Sequence, residues 1–478
     1  MNESAIKFVQ DQIAQAPHRL RGHVSDPSGK AYPQRDIYVR LEKHLNDFLA
    51  GNTEQRWIIV PGLRGVGKTT VLSQLFLKLF SRYDSVRMLY VSLDEVTGLL
   101  GSNLKDTLDA YENILGQSFE RLTEPIFIFV DEVQYDPKWG LALKSLYDRS
   151  KKIFICCTGS SAVSLQTNPD VFRRTLWEKL YPLSFPEYQM IHRALFPIPQ
   201  LKKRLHEALY FASQAREAHE RLRSIESEVL QYWSRVDKFD VQNYLKYGSL
   251  PFALQYTHPS QAYEAVNGLL DKIIQKDIES LKSFDLRTLH SMRRVLFLLA
   301  GSQDLLSARK LLNLVELDSL TTVQRILQVL EQAEVLIRVM PYGSQKGKTT
   351  KASKYLFMSP AIRMALLGLV GNEATYHTRL GLLMEDSAAL QFHREFIGNG
   401  TGNLVYEAAQ GNADFILQIA DRRQLAVEIG TGNKDSSQLE ATMKSRKCDY
   451  GILIHEGALG SHERKNILYV PLQFFLLS

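Results

Sequence analysis

Four apolar runs punctuate the first third of the chain: Trp57-Ile58-Ile59-Val60, Met88-Leu89-Tyr90-Val91-Ser92-Leu93, Ile126-Phe127-Ile128-Phe129-Val130 and Ile153-Phe154-Ile155-Cys156-Cys157. They are rich in β-branched and aromatic residues and lack polar alternation, which predicts strands buried on both faces. The stretches between them have helical spacing, as in Val71-Leu72-Ser73-Gln74-Leu75-Phe76-Leu77. Strand and helix therefore alternate, the pattern of an α/β doubly wound parallel sheet.

The pattern changes after the sheet. Residues 199 to 237 carry dense charge of both signs at helical spacing and read as a solvated helical hairpin inserted into a lid, with a subunit-contact surface as the alternative. Leu286 to Leu299, Leu305 to Leu312 and Ser319 to Leu327 predict three amphipathic helices. Val335 to Met340 and Lys354 to Met358 predict two strands joined by a basic loop holding Lys346, Lys348 and Lys351. Three helices and a two-stranded wing spell a winged helix, with Thr321, Thr322, Gln324 and Arg325 opening its recognition helix and the wing lysines available to phosphates. The expected divisions are an N-terminal segment at 1–36, the sheet core at 37–195, a helical lid at 196–284, a winged helix at 285–372 and a C-terminal α/β domain at 373–478.

The first strand runs into Gly62-Leu63-Arg64-Gly65-Val66-Gly67-Lys68-Thr69, a complete G-x-x-x-x-G-K-[ST] loop followed by Thr70 and the amphipathic helix. Glycines allow the close backbone approach by which successive N–H groups surround a phosphate, and the helix start adds its positive end. Lys68 is placed to reach the β- and γ-phosphates, Thr69 offers a hydroxyl to Mg²⁺, and Arg64 is a further phosphate candidate or a solvent-facing side chain. The third strand ends in Asp131-Glu132, a Walker B pattern. Asp131 is expected to hold Mg²⁺ through water and Glu132 to act as general base. The fourth strand ends in Thr158-Gly159-Ser160-Ser161, where Thr158 or Ser160 either senses the γ-phosphate or caps the next helix.

A second constellation lies near the C-terminus. Glu385 falls on a helix, Asp414 opens the strand Phe415-Ile416-Leu417 and Glu428 ends the strand Leu425-Ala426-Val427, a spacing that resembles the PD-(D/E)XK nuclease core. Asp414 and Glu428 on neighbouring strand ends suit a Mg²⁺ site for phosphodiester hydrolysis, and a lysine two residues past the second carboxylate normally activates water or steadies developing charge. That position is Gly430. Lys434, after the flexible Gly430-Thr431-Gly432-Asn433, is the candidate to swing back, with Gln438 on the following helix; Asp386 and Glu395 are alternatives to Glu385. An active nuclease with a displaced lysine, a degenerate nucleic-acid-binding domain and a plain structural β-α-β unit all remain open.

Asp131-Glu132-Val133-Gln134-Tyr135 with Trp139, Leu143 to Asp148, Thr158 to Ser161 and Tyr181-Pro182-Leu183-Ser184-Phe185-Pro186-Glu187-Tyr188 resemble the AAA-type, STAND-related ATPases of bacteria and archaea. The resemblance implies a P-loop ATPase using ATP and Mg²⁺, a winged helix that often only joins domains, and a restriction-endonuclease-like C-terminal domain. It implies coupling of ATP hydrolysis to binding or cleavage of nucleic acid, DNA ahead of RNA, in a mobile-element or defence setting, with a homo-oligomer in view. The alternative is an ATP-bound switch or scaffold. Tyr247-Gly248-Ser249-Leu250-Pro251 is similar to the G-G-x-P lid motif, with Ser249 replacing the second glycine, which places Pro251 beside the base by analogy. Arg173-Arg174 stands where the family has a basic pair, so Arg174 is an arginine-finger candidate or half of a solvated pair.

Composition changes this picture little. A length of 478 residues suits two to four domains, 45% hydrophobic content supplies ordinary cores, and no apolar run approaches the roughly 18 residues of a membrane span. Met1 to Lys7 lacks the order of a signal peptide, and three cysteines suit a reducing cytoplasm and argue against zinc. A net charge of +6 is compatible with a nucleic-acid partner. No N-K-x-D-like segment reads guanine, so ATP follows from the resemblance.

Overall fold

The computed structural model describes residues 3–159, 169–278, 284–303, 305–317, 319–343, 351–368, 373–409, 411–420, 423–430 and 435–478. The four apolar runs form strands β1 (Trp57–Pro61), β2 (Met88–Ser92), β3 (Ile126–Asp131) and β4 (Ile153–Gly159), and a short β5 (Leu176–Trp177) follows. Their order is β2-β3-β4-β1-β5 and every pairing is parallel. All residues of β1, β3 and β4 are buried, the condition that made the runs uniformly apolar. This sheet belongs to the first of two units, Met1–Tyr181; the second is Pro182–Ser478.

Residues ahead of the loop also belong to the first unit. The helix Glu3–Arg21 buries Ala5 and Val9 in the same core as Trp57, Leu89 and Tyr111, and Arg19 pairs with Glu95 at 3.2 Å.

In the second unit the hairpin of charged helices, Leu201–Tyr210 and Ala215–Trp233, corrects the expectation of a solvated insertion. It packs on the C-terminal sheet: the Tyr450 hydroxyl donates to the Leu209 carbonyl at 2.5 Å, Ala215 N–H to Asn466 Oδ1 at 2.9 Å and Arg423 to the Ala212 carbonyl at 2.7 Å. The physical reason is an apolar stripe, Leu205, Leu209, Leu222, Ile225 and Val229, buried beneath the charges, with the Tyr210 ring set edge-on against Phe392 and Phe396.

Helices Leu286–Gly301, Ala308–Val315 and Leu320–Gln332 lead into an antiparallel pair, β6 (Leu336–Pro341) and β7 (Lys354–Phe357). Further along are β8 (Gly402–Tyr406), β9 (Phe415–Ile419), β10 (Arg423–Ile429), β11 (Tyr450–His455), β12 (Gly460–His462) and β13 (Ile467–Pro471). The eight strands make one sheet in the order β12-β13-β11-β10-β9-β8-β6-β7. The seam is small: β6 leaves β7 after Val339, and its last two residues pair in parallel with β8 as Met340↔Val405 and Pro341↔Tyr406.

Behind this sheet runs the helix Glu373–Phe392, whose Asp386 forms a buried two-point ion pair with Arg363 at 2.5 and 2.8 Å. Arg363 also donates to the carbonyls of Leu299 and Ala300, and Asp386 accepts from Phe357 N–H, so the pair joins three helices and β7. Burial raises the Asp386 pKa even with the guanidinium beside it. Breaking such a pair leaves a buried charge uncompensated. Arg363→Met is expected to lose about 3–5 kcal/mol in chemical denaturation, and Arg363→Met/Asp386→Leu to recover most of it.

Candidate functional site

The loop after β1 shows why its glycines are glycines. Gly65 and Gly67 have φ of 81° and 96°, in the left-handed region that side chains disfavour, and a Cβ on Gly62 would lie 2.3 Å from the Leu180 carbonyl oxygen. Leu63 and Val66 anchor the loop by full burial. The helix Lys68–Phe80 begins at once, with Thr70 in its first turn, so its N–H groups point into the loop. Lys68 is buried and donates to the carbonyls of Gly62 and Leu63 at 2.8 and 3.0 Å. Arg35, unsuspected from sequence, braces the loop by donating to the Val66 carbonyl at 2.7 Å and the Tyr181 carbonyl at 2.8 Å.

Asp131 closes the site from β3 at 2% exposure. Thr69 and Tyr90 donate to its Oδ2 at 2.7 and 3.0 Å, and Thr158 donates to its Oδ1. Burial lifts its pKa, the neighbouring Glu132 adds to the rise, and the three hydroxyls oppose it. Tyr90 also escaped the sequence reading, being one aromatic in a buried run. The Thr69 and Asp131 oxygens are hard donors, and Mg²⁺ is commonly held by one or two such groups together with water and phosphate oxygens, so the residues fit that ion.

Glu132 adopts φ 53°, a left-handed conformation that is strained for a non-glycine residue. Its carboxylate accepts from Gln134 and stands 3.9 Å from Arg64, which in turn donates to the Tyr135 hydroxyl at 3.2 Å. Arg174 is engaged with Asp148 at 3.0 Å. Ser160 and Ser161 lie outside the described residues. Pro251 belongs to the second unit, where it opens a helical turn, Pro251–Gln255; there the Gly248 backbone lies so near Tyr188 that a Cβ would approach the ring to 2.6 Å, and Ser249 hydrogen-bonds Ser359 at 2.7 Å.

The C-terminal carboxylates do converge. Asp414, just before β9, and Glu428, near the end of β10, exchange backbone bonds: Asp414 N–H donates to Glu428 Oε2 at 3.1 Å and Ile429 N–H to Asp414 Oδ2 at 2.9 Å. Glu385 faces the same region and pairs with Lys354 of β7 at 2.5 Å. Its two alternatives are occupied elsewhere, Asp386 by Arg363 and Glu395 by Lys202 at 2.9 Å. Burial works against the Lys354 charge, but Glu385, Asp414 and Glu428 hold its pKa above the usual lysine value. Lys354, Glu385 and Asp414 line a cleft of about 510 Å³. Among the described residues no three His, Cys, Asp or Glu side chains form a metal cage; the Asp414–Glu428 pair fits an ion that completes its shell with water and substrate oxygens. Lys434, Lys346 and Lys348 lie outside the described residues.

Residues 54–189 match the AAA domain family, and residues 238–373 match a domain of unknown function, DUF8612. An uncharacterized protein of Methanocaldococcus jannaschii, MJ1637, is 34% identical over 98% of this chain and 93% of its own length; a second from that organism, MJ1544, is 22% identical over 82% and 79%. Among solved structures, the Walker-type ATPase PABY2304 of Pyrococcus abyssi is similar over 70% of this chain and 96% of that one, at 13% identity and TM-score 0.39. Among the described residues no helix is long and apolar enough to cross a membrane.

Two outcomes follow from the Asp131–Glu132 geometry. Glu132→Gln is expected to keep ATP binding but lower steady-state phosphate release by about 10²–10⁴-fold, the usual scale for a general base. Tyr90→Phe leaves the buried Asp131 one donor short and is expected to cost about 1–3 kcal/mol in nucleotide-free denaturation.

Proposed function

We propose that this chain, which belongs to the family of the Methanocaldococcus jannaschii protein MJ1637 and contains an AAA domain, is a Mg²⁺-dependent ATP hydrolase whose nucleotide state governs a C-terminal domain that binds and cuts nucleic acid. The observation that carries the ATPase reading is Asp131, buried and bonded at once to Thr69 of the phosphate loop and to Thr158 of the neighbouring strand. The loop amides of residues 62–67 receive the β-phosphate, and Lys68 exchanges the Gly62 and Leu63 carbonyls for phosphate oxygens. Thr69 and Asp131 would hold Mg²⁺, which supplies charge neutralisation during transfer. Glu132 leaves Gln134 to orient the attacking water, Thr158 reports on the γ-phosphate, and Arg174 is offered as the finger residue of a homo-oligomer.

For the second unit, the three helices before β6 and the hairpin itself read as a winged helix. Thr321, Gln324 and Arg325 are exposed on the opening of the helix Leu320–Gln332, available to a phosphate backbone, DNA ahead of RNA. Asp414, Glu428 and Glu385 then form the cutting site, with a mobile-element or defence role following from the family resemblance. The alternative, a nucleotide-held switch with a non-cutting C-terminal domain, is favoured by the engagement of Glu132 with Gln134 and by Gly430 at the lysine position.

Lys68→Ala is expected to abolish phosphate release, and Glu428→Ala to abolish metal-dependent cleavage of single- or double-stranded DNA while sparing phosphate release. Phosphate release without any cleavage by the wild type would leave the switch.

A further inference from the structure

The nuclease reading leaves a chemical gap, because strand β10 ends in Glu428-Ile429 and is followed by Gly430 where a lysine is expected, and the cleft holds a lysine from another strand. Lys354 opens β7, and its Nζ lies 2.5 Å from Glu385 Oε2 and 4.8 Å from the centre of the Phe415 ring, the residue after Asp414. Its placement is built by several tethers. Lys354 pairs in register with Val339, one residue before the Met340↔Val405↔Ile416↔Ala426 row that crosses the sheet toward β10. The Tyr406 hydroxyl of β8 donates to the Ala352 carbonyl, and Asp386, the neighbour of Glu385, accepts from Phe357 N–H at 2.9 Å. Lys354 and Glu385 side chains are 21% and 17% exposed, enclosed but open to the cleft. A surface ion pair needs none of this bracing.

We propose that Lys354, carried on the β6–β7 hairpin, is the catalytic lysine of the Glu385–Asp414–Glu428 site, replacing the one missing at Gly430. This inference rests on the nuclease reading above. In hydrolysis of a phosphodiester, the water oxygen bonds to phosphorus and the P–O3′ bond breaks; the proton lost by the water passes to solvent, and solvent returns one to O3′. The Lys354 ammonium donates hydrogen bonds to the non-bridging phosphate oxygens as their charge grows and undergoes no covalent change.

The test uses the full chain with Mn²⁺, comparing cleavage of single- and double-stranded DNA and RNA by wild type, Lys354→Ala, Lys354→Arg, Lys434→Ala, Glu428→Ala and Lys354→Ala/Gly430→Lys, and following Mn²⁺ binding by electron paramagnetic resonance. The expected result is a fall in kcat of about 10²–10³-fold in Lys354→Ala, the scale of losing one charge-stabilising donor. Mn²⁺ affinity and ATP-dependent phosphate release stay unchanged, Lys354→Arg keeps part of the rate, and Gly430→Lys restores some of it. Wild-type cleavage by Lys354→Ala, with Glu428→Ala inactive, overturns the role of Lys354 while the nuclease stands, and loss in Lys434→Ala alone gives the role to that residue. Loss of Mn²⁺ binding in Lys354→Ala overturns it too, making the lysine structural. A wild type that cuts no substrate removes the nuclease reading and this inference together.

Discussion

Burying a charge is costly unless the protein supplies partners for it, and each unit is organised around charges satisfied in that way. In the first, Asp131 draws hydroxyls from the phosphate-loop helix, β2 and β4 to one point, and Arg35 ties the loop backbone to the end of the unit. In the second, Arg363 and Asp386 fasten β7 and three helices together. These contacts join elements far apart in the chain, so they set where functional groups stand as well as how stable the units are.

The nucleotide site combines such fixed contacts with stored strain. Gly65 and Gly67 take left-handed dihedrals at little cost, whereas Glu132 takes one as a non-glycine residue, held by Asp131 and Thr158 at its N–H and by Gln134 at its carboxylate. Lys68 is similarly committed to loop carbonyls that a phosphate would replace. Both groups named for chemistry are thus engaged with the protein and have definite partners to exchange on binding.

The second unit joins by backbone pairing what its sequence divides into modules. Two residue pairs between β6 and β8 extend a six-stranded sheet by a hairpin, and that extension brings Lys354 to Glu385 on a helix and into the cleft that Asp414 also lines. The charged helices at 201–233 belong to this body as well, through a stripe of aliphatic residues and the ring of Tyr210.

The sequence by itself determined what depends on local spacing. The apolar runs dictated strands buried on both faces, the glycines dictated the loop, and Asp131, Thr69 and Thr158 followed from their places at strand and helix ends. That Asp414 and Glu428 lie side by side was legible for the same reason, since strand ends put neighbours in reach. Arg35, Tyr90 and Lys354 were not, because each is an ordinary residue until a distant carbonyl or carboxylate meets it. Glu385, Asp386 and Glu395 were indistinguishable as three acids around one helix; only their cations, Lys354, Arg363 and Lys202, separated a cleft-facing group from a structural one. The charged hairpin misled for a related reason: charge density describes the solvent face, while packing is decided by the apolar stripe opposite and by the surface available to cover it. Periodicity fixes which face of an element is buried; what it is buried against is settled by contacts between residues far apart in the chain, and the partners that Arg35, Arg363 and Lys354 meet are of that kind.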